Sequence, residues 1–511
     1  MLMKTGCRVF DNLFFYFCVI DYEICSLIFK IQDLMKRFIL LSIIFIGACW
    51  GHLQAQDGYK IEVEVNNFAT AKAYLAVRRA DKTYSQDTAF LEKGKFVFEG
   101  DKTLPTGIYL LLLPPANKFF EFIITPTEQR FSMKTDTINL FENLTFNNAP
   151  DNQVFYDYRK YMGQKIPASN QMREQMEKET DEKKKAKLQK EVNELVAEVE
   201  NHQQEVLAKN QGTFSAKLIN SWIEVPIPEV PAGEDEQTFR FKHYRTHFWD
   251  NWDFSEPGFV RTPYLIQKID QYLDRLTAQI PDSLKIAVDF IGDSFQDNPE
   301  AFRTALGHMI NKYYQPKIVG LDEVFVHLAY KYYCGANPVA DWMDEDGKKK
   351  ICDDAYMIRG VLIGNQAPDV TMQLYDYELD NWTEEKISLY DIKADFTIVF
   401  LWKPGCPACK KTTEELKKFY AEYQNKGVEI FAISSATFKE LEKARKDVQS
   451  KNPTWITTAD PYLKARALQK FYGVSMPKIY LLDKNKKIIA SRVGVEQLEE
   501  IIEKEKLNMN N

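Results

Sequence analysis

The sequence predicts a multidomain protein: an N-terminal β-sandwich, a central mainly α-helical domain and a C-terminal α/β domain. Three observations carry this reading. Apolar and polar residues alternate between Gly58 and Asn148, apolar residues recur at three- and four-residue steps across 171–211, and after Asn365 apolar strands alternate with amphipathic helices. At roughly 100–200 residues per domain, a chain of 511 residues has room for about three. Its 45% hydrophobic and 27% charged residues are globular proportions. A net charge of −7 with no long basic run argues against nucleic acid as a partner.

The elements follow in chain order. Residues 1–34 show no globular pattern and read as an upstream extension from a misplaced start, the alternative being a cytoplasmic tail before a membrane anchor. Residues 35–55 place Lys36 and Arg37 before an apolar run from Phe38, then small residues ending near Ala55, the order of an export signal. That run is shorter than the ~20 residues a spanning helix needs. Ile46-Gly-Ala-Cys49 resembles a lipobox, so two processing routes are open: lipidation of Cys49 or cleavage after Ala55. Both export the chain to the periplasm or cell envelope. Only the first makes it a lipoprotein, held at the membrane through Cys49 alone.

The β-sandwich is expected over 57–150. Tyr59–Val65 and Lys95–Gly100 alternate strictly, and Ala73–Val77, Ile108–Leu113 and Phe119–Ile124 are further β-rich runs separated by turn-prone Lys93-Gly and Pro114-Pro. None of it looks chemical, which suits a binding or packing module. The helical domain is expected over 151–360. Leu188, Val192, Leu195, Val199 and Val206 form an apolar stripe on a charged helix, and Glu182-Lys-Lys-Lys reads as a solvated face. His243 and His247, at i,i+4 with Asp250 nearby, have metal-ligand spacing. Their surroundings (Tyr244, Phe248, Trp249, Trp252) point to aromatic packing instead, and neither metal nor cofactor is expected. Cys334 and Cys352 stand 18 residues apart; in an oxidising compartment they form a structural disulfide or remain two buried thiols.

The third domain, 361–511, carries the chemistry. Ala394–Trp402 is a near-continuous apolar run, as in a strand buried on both faces. Lys403-Pro-Gly-Cys406-Pro-Ala-Cys409 follows, then an amphipathic helix over 410–424, a strand over Val428–Ser434, and helices over 439–450 and 462–472. Strands at 478–482 and 487–490 and a last helix over 495–507 complete the domain. A CxxC at a strand-to-helix junction in such a unit is a thioredoxin-like redox signature. Two intervening residues set the sulfurs one helical turn apart. The first caps the helix N-terminus, where free N–H groups and the macrodipole favour a thiolate. Cys406 is thereby the expected nucleophile and Cys409 the buried resolving thiol. Met476-Pro477, just before a strand, is the expected cis-proline turn, with the Met476 backbone offering strand-like pairing to a substrate chain.

Residues 365–507 resemble the TlpA-like family of thioredoxin-fold thiol-disulfide oxidoreductases of the bacterial envelope. The resemblance rests on the opening Gly364-Asn-Gln-Ala-Pro368-Asp-Val, on Lys386-Ile-Ser-Leu-Tyr-Asp-Ile, on Leu401-Trp-Lys-Pro-Gly-Cys-Pro-Ala-Cys, on a helical insert between Ser435 and Tyr472, and on Met476-Pro477. It implies that Cys406 and Cys409 are the redox pair, that Pro477 is the cis-proline, that protein disulfides and thiols are the clients, and that a membrane electron-donor protein is a partner. The upstream regions more weakly resemble two uncharacterised domains that precede such redox domains. Departures are Gly405 where the family has tryptophan, the unusual Lys403-Pro404, Phe400 where thioredoxin carries a buried acid, and Lys478 after the proline. The expected function is an exported thiol-disulfide oxidoreductase, a reductase or isomerase. Alternatives are a thiol peroxidase and a non-catalytic scaffold with a vestigial redox domain.

Overall fold

The computed structural model describes residues 58–509, apart from 69, 81, 116–117 and 336–337. The extension expected at 1–34, the export signal expected at 35–55 and Cys49 lie outside the described residues. The first domain contains β1 (Tyr59–Asn66), β2 (Lys72–Arg79), β3 (Lys82–Glu92), β4 (Lys95–Gly100), β5 (Gly107–Leu113), β6 (Lys118–Ile124), β7 (Arg130–Asp136) and β8 (Thr145–Asn147). Their order is β6-β5-β2-β3-β4-β1-β7-β8. β3 serves both halves, pairing β2 along most of its length and β4 at Leu91 and Glu92. Phe122 of β6 meets Phe131 of β7 edge-on at 5.9 Å, which brings the two ends of this order face to face. In β1 the alternation is strict: Tyr59, Ile61, Val63 and Val65 are buried. β3 gave no such signal because nearly all of its residues are exposed.

The helical domain comprises α1 (Pro150–Lys178), α2 (Glu182–Lys209), α3 (Phe214–Trp222), α4 (Glu236–His247), α5 (Tyr264–Arg275), α6 (Pro281–Phe295), α7 (Pro299–Tyr314), α8 (Asp322–Leu328) and α9 (Glu345–Arg359). α1 and α2 pack side by side, and of the expected stripe only Val192 is buried, its four companions being half-buried. Phe248, Trp249 and Trp252 pack into the core. His243 Nε2 lies 3.2 Å from the Pro226 carbonyl and His247 Nδ1 2.6 Å from Asp250. Among the described residues no group of three His, Cys, Asp or Glu side chains is placed to hold a metal, and no helix is long and apolar enough to cross a membrane.

Cys334 and Cys352 are joined as a disulfide, with Cα atoms 5.6 Å apart, tying the chain after α8 to α9. A cross-link closing a loop of this length restricts the unfolded chain by about 3 kcal/mol. The double variant Cys334→Ser/Cys352→Ser should lose about that much stability in chemical denaturation, and dithiothreitol should destabilise the parent chain but not the variant.

The C-terminal domain contains β9 (Thr371–Asp376), β10 (Asn381–Ser388), β11 (Phe396–Trp402), α10 (Pro407–Tyr423), β12 (Val428–Ser434), α11 (Leu441–Lys451), β13 (Ile456–Ala459), α12 (Ala467–Lys470), β14 (Lys478–Leu482), β15 (Ile488–Ser491) and α13 (Val495–Met509). The sheet order is β10-β9-β13-β12-β11-β14-β15, with β11, β12 and β13 parallel and β14 antiparallel to β11. All seven residues of β11 are buried. Its two faces feed different cores: Val399 and Leu401 join the cluster continuous with the helical domain, while Ile398, Phe400 and Trp402 pack under α10 and α13. The helix expected over 462–472 is corrected to the single turn α12. Leu463 and Arg466 adopt left-handed backbone (φ 56° and 52°), which a continuing helix does not permit.

Candidate active site

β11 delivers the Lys403–Cys406 turn at its C-terminal end. Gly405 takes φ 75°, a conformation that side-chain-bearing residues adopt at a cost. Cys406 then becomes the N-cap of α10, its Sγ accepting the Cys409 N–H at 3.2 Å, and Pro407 occupies the first helical turn, where a missing N–H does no harm. Both cysteines are free thiols; Cys406 is half-exposed and Cys409 is 2% exposed. Burial first, then the neighbouring Cys406, push the Cys409 thiol up to about 12. Because only the thiolate is nucleophilic, Cys409 stays protonated and inert near neutrality. Brief iodoacetamide treatment of the reduced protein at pH 7.5 should therefore add one carbamidomethyl group, located at Cys406 by peptide mass spectrometry.

A residue that the sequence did not reveal supports this loop. Asp447 on α11 accepts the Gly405 N–H at 2.6 Å through Oδ2 and the Lys410 ammonium at 3.2 Å through Oδ1. One carboxylate so holds the chain on both sides of the dithiol. Asp447, Phe400, Trp402 and Thr413 also line a cavity of about 30 Å³ against Cys409, room for one or two water molecules. Asp447 lies 42 residues from Gly405, and no spacing rule links an insert helix to a turn so far upstream.

The Met476–Pro477 bond is cis. Leu401 pairs with Lys478, so the turn entering β14 lies beside the end of β11 from which the Cys406 loop departs. Met476 and Pro477 are half-buried. Lys478 is buried; its ammonium donates to the Tyr472 carbonyl, lies 4.4 Å over the Tyr472 ring, and is pushed down to about 8 by burial. The fold thus brings Cys406, Cys409, Met476 and Pro477 to one end of the sheet, whereas Cys334 and Cys352 belong to the helical domain.

Comparison with known proteins finds three matched regions. The AhpC/TSA family matches residues 363–491, and two domains of unknown function, DUF5106 and DUF4369, match 168–359 and 59–155. A thiol-disulfide oxidoreductase ResA of Bacillus thuringiensis is 30% identical over 147 residues, 28% of this chain and 78% of that protein. The thioredoxin-like protein YneN of Bacillus subtilis is 27% identical over 146 residues, 28% of this chain and 79% of that protein. A solved thioredoxin-like protein from Bacteroides caccae is 20% identical and aligns with 55% of this chain and 98% of its own, at a TM-score of 0.45. Through its C-terminal domain the chain belongs to the ResA/TlpA-like thiol-disulfide oxidoreductases, enzymes of the thioredoxin fold.

Proposed function

We propose that the protein is an exported reductase or isomerase of protein disulfides, working through the Cys406–Cys409 dithiol. The observation that carries this reading is the asymmetry of the pair: a half-exposed Cys406 capping α10 and a buried Cys409 one turn behind it. The Cys406 thiolate attacks one sulfur of a client disulfide, forming a mixed disulfide and releasing the other client sulfur as a thiolate. Cys409 then gives up its proton and attacks Cys406 Sγ, releasing the second client thiolate. Two electrons pass to the client and the enzyme ends as the Cys406–Cys409 disulfide. Turnover needs an external dithiol donor; a membrane electron-donor protein would supply it in the envelope. The signal at 35–55 supports export, with Cys49 as the only expected attachment to a membrane. The Met476 backbone beside Pro477 would pair with the client strand.

The test is covalent capture. Cys409→Ser, incubated with oxidised insulin, should accumulate a mixed disulfide at Cys406, while the unmodified protein reduces insulin catalytically with dithiothreitol. No adduct and no reduction would remove the proposal. A thiol peroxidase is the second reading, favoured by Ala367-Pro-Asp-Val in the domain matched by the AhpC/TSA family. Lys403, three residues before Cys406, stands against it, since a hydroxyl there would assist peroxide. Peroxide consumption without insulin reduction would select it. A vestigial scaffold is disfavoured by the intact dithiol.

A further inference from the structure

The seam between the helical and redox domains holds two cations next to the Met476–Pro477 turn. A cavity of about 190 Å³ lies there, lined by Gln315 and Pro316, just after α7, and by Ser475, Pro477, Lys478 and Arg492 of the redox domain. Arg492 follows β15, and its N–H donates to Ile479 at 2.8 Å, which fixes it alongside the start of β14. Of the two carboxylates near this cavity, Asp354 is engaged elsewhere and Asp322 faces Arg492. Asp354 accepts the Tyr314 hydroxyl at 2.7 Å and pairs with Lys350 at 2.8 Å. Asp322 forms an ion pair with Arg492 at 3.6 Å, too long for a hydrogen bond. Nη1 of Arg492 donates to the Tyr314 carbonyl at 3.4 Å, its guanidinium lies 5.5 Å from the Tyr472 ring, and Nη2 makes no hydrogen bond among the described residues. Lys478 donates to the Tyr472 carbonyl and lies over the Tyr472 ring, and among the described residues no carboxylate forms a salt bridge with it. Two cations, Lys478 (6% exposed) and Arg492, against the single carboxylate of Asp322, a guanidinium nitrogen that makes no hydrogen bond, and an opening beside the turn that receives the client together describe a recess with a net positive charge, complementary to a carboxylate.

We propose that this recess, completed by Gln315 and Pro316 of the helical domain, is a client subsite that takes an acidic side chain close in sequence to the client's reacting cysteine. It rests on the disulfide-exchange reading above and gives the helical domain a part in client selection. A client strand rises about 3.3 Å per residue, so a recess flanking Pro477 meets a side chain within two or three positions of that cysteine.

The test uses the full mature chain and two disulfide-linked model peptides, identical except for Glu or Gln at each position flanking the cysteine in turn. The readout is the ratio of kcat/KM values at low salt, which cancels any general loss of activity in a variant. The unmodified protein should favour the Glu peptide by about five-fold or more at one position, the scale of a partly screened ion pair. Lys478→Met should bring that ratio close to one. Gln315, exposed on the helical wall, tolerates substitution; Gln315→Glu should lower the ratio and Gln315→Lys raise it. Equal rates for the two peptides at every position, or a ratio untouched by Lys478→Met and both Gln315 variants, would overturn the subsite and leave disulfide exchange standing. If neither peptide is reduced, the exchange reading falls and the subsite with it.

Discussion

Replacing Cys406 by serine is expected to lower the rate of insulin reduction by at least about a thousand-fold. The argument is chemical. A serine hydroxyl is not ionised at neutral pH and cannot form a mixed disulfide, and the remaining thiol, Cys409, is buried and pushed up to about 12. Among the described residues no second thiolate is available to take over, because Cys334 and Cys352 are already joined. Fold stability should change little, since Cys406 is half-exposed and serine accepts an N–H at a helix N-cap equally well. A Cys406→Ser protein that folds and still reduces insulin at a comparable rate would mean that the dithiol is not the working centre.

The second large effect is on stability. Phe400 lies in the middle of β11, is 1% exposed, is flanked by Ala432 and Ile479 on the neighbouring strands, and lines the cavity against Cys409. Phe400→Ala should cost about 3–5 kcal/mol, the transfer free energy of the ring plus the cavity left behind, read from denaturant unfolding of the C-terminal transition. The same change enlarges the space behind Cys409 and admits water. Less desolvation means a lower Cys409 pKa, so in native protein the second thiol should alkylate faster than in the parent at pH 8.5. Unchanged stability would contradict the packing described for β11, and unchanged alkylation would contradict burial as the main cause of the raised Cys409 value.

What the sequence revealed follows from how locally each feature is encoded. β11, β12 and β14 are apolar runs buried on both faces, and a run needs no partner to be recognised. Cys406 and Cys409 stand three residues apart, and Pro477 precedes a strand, so each is visible within a short window. By contrast β10 is mostly polar with no residue buried, β13 is four residues long, and β3 is solvated, so none carries a usable period. The 462–472 segment has helical composition, yet left-handed Leu463 and Arg466 interrupt it, and composition alone does not report φ. Asp447 and the Gln315–Arg492 seam depend on contacts between distant segments, 42 residues apart in the first case and between two domains in the second. Lys478 was legible only as a departure after the proline; its burial at the domain seam comes from the packing of Tyr472 against Tyr314.

The direction of electron flow is the central claim, and the equilibrium between the dithiol and a glutathione redox buffer tests it most directly. Thioredoxin-fold proteins span about 150 mV, from roughly −270 mV for a reductase through about −180 mV for an isomerase to about −120 mV for a strong oxidant. Titration of the purified mature protein, with Cys406 and Cys409 oxidation read by thiol trapping and mass spectrometry, should place the pair between about −270 and −180 mV. A value near −120 mV would make the protein a donor of disulfides and contradict the assignment as a reductase or isomerase.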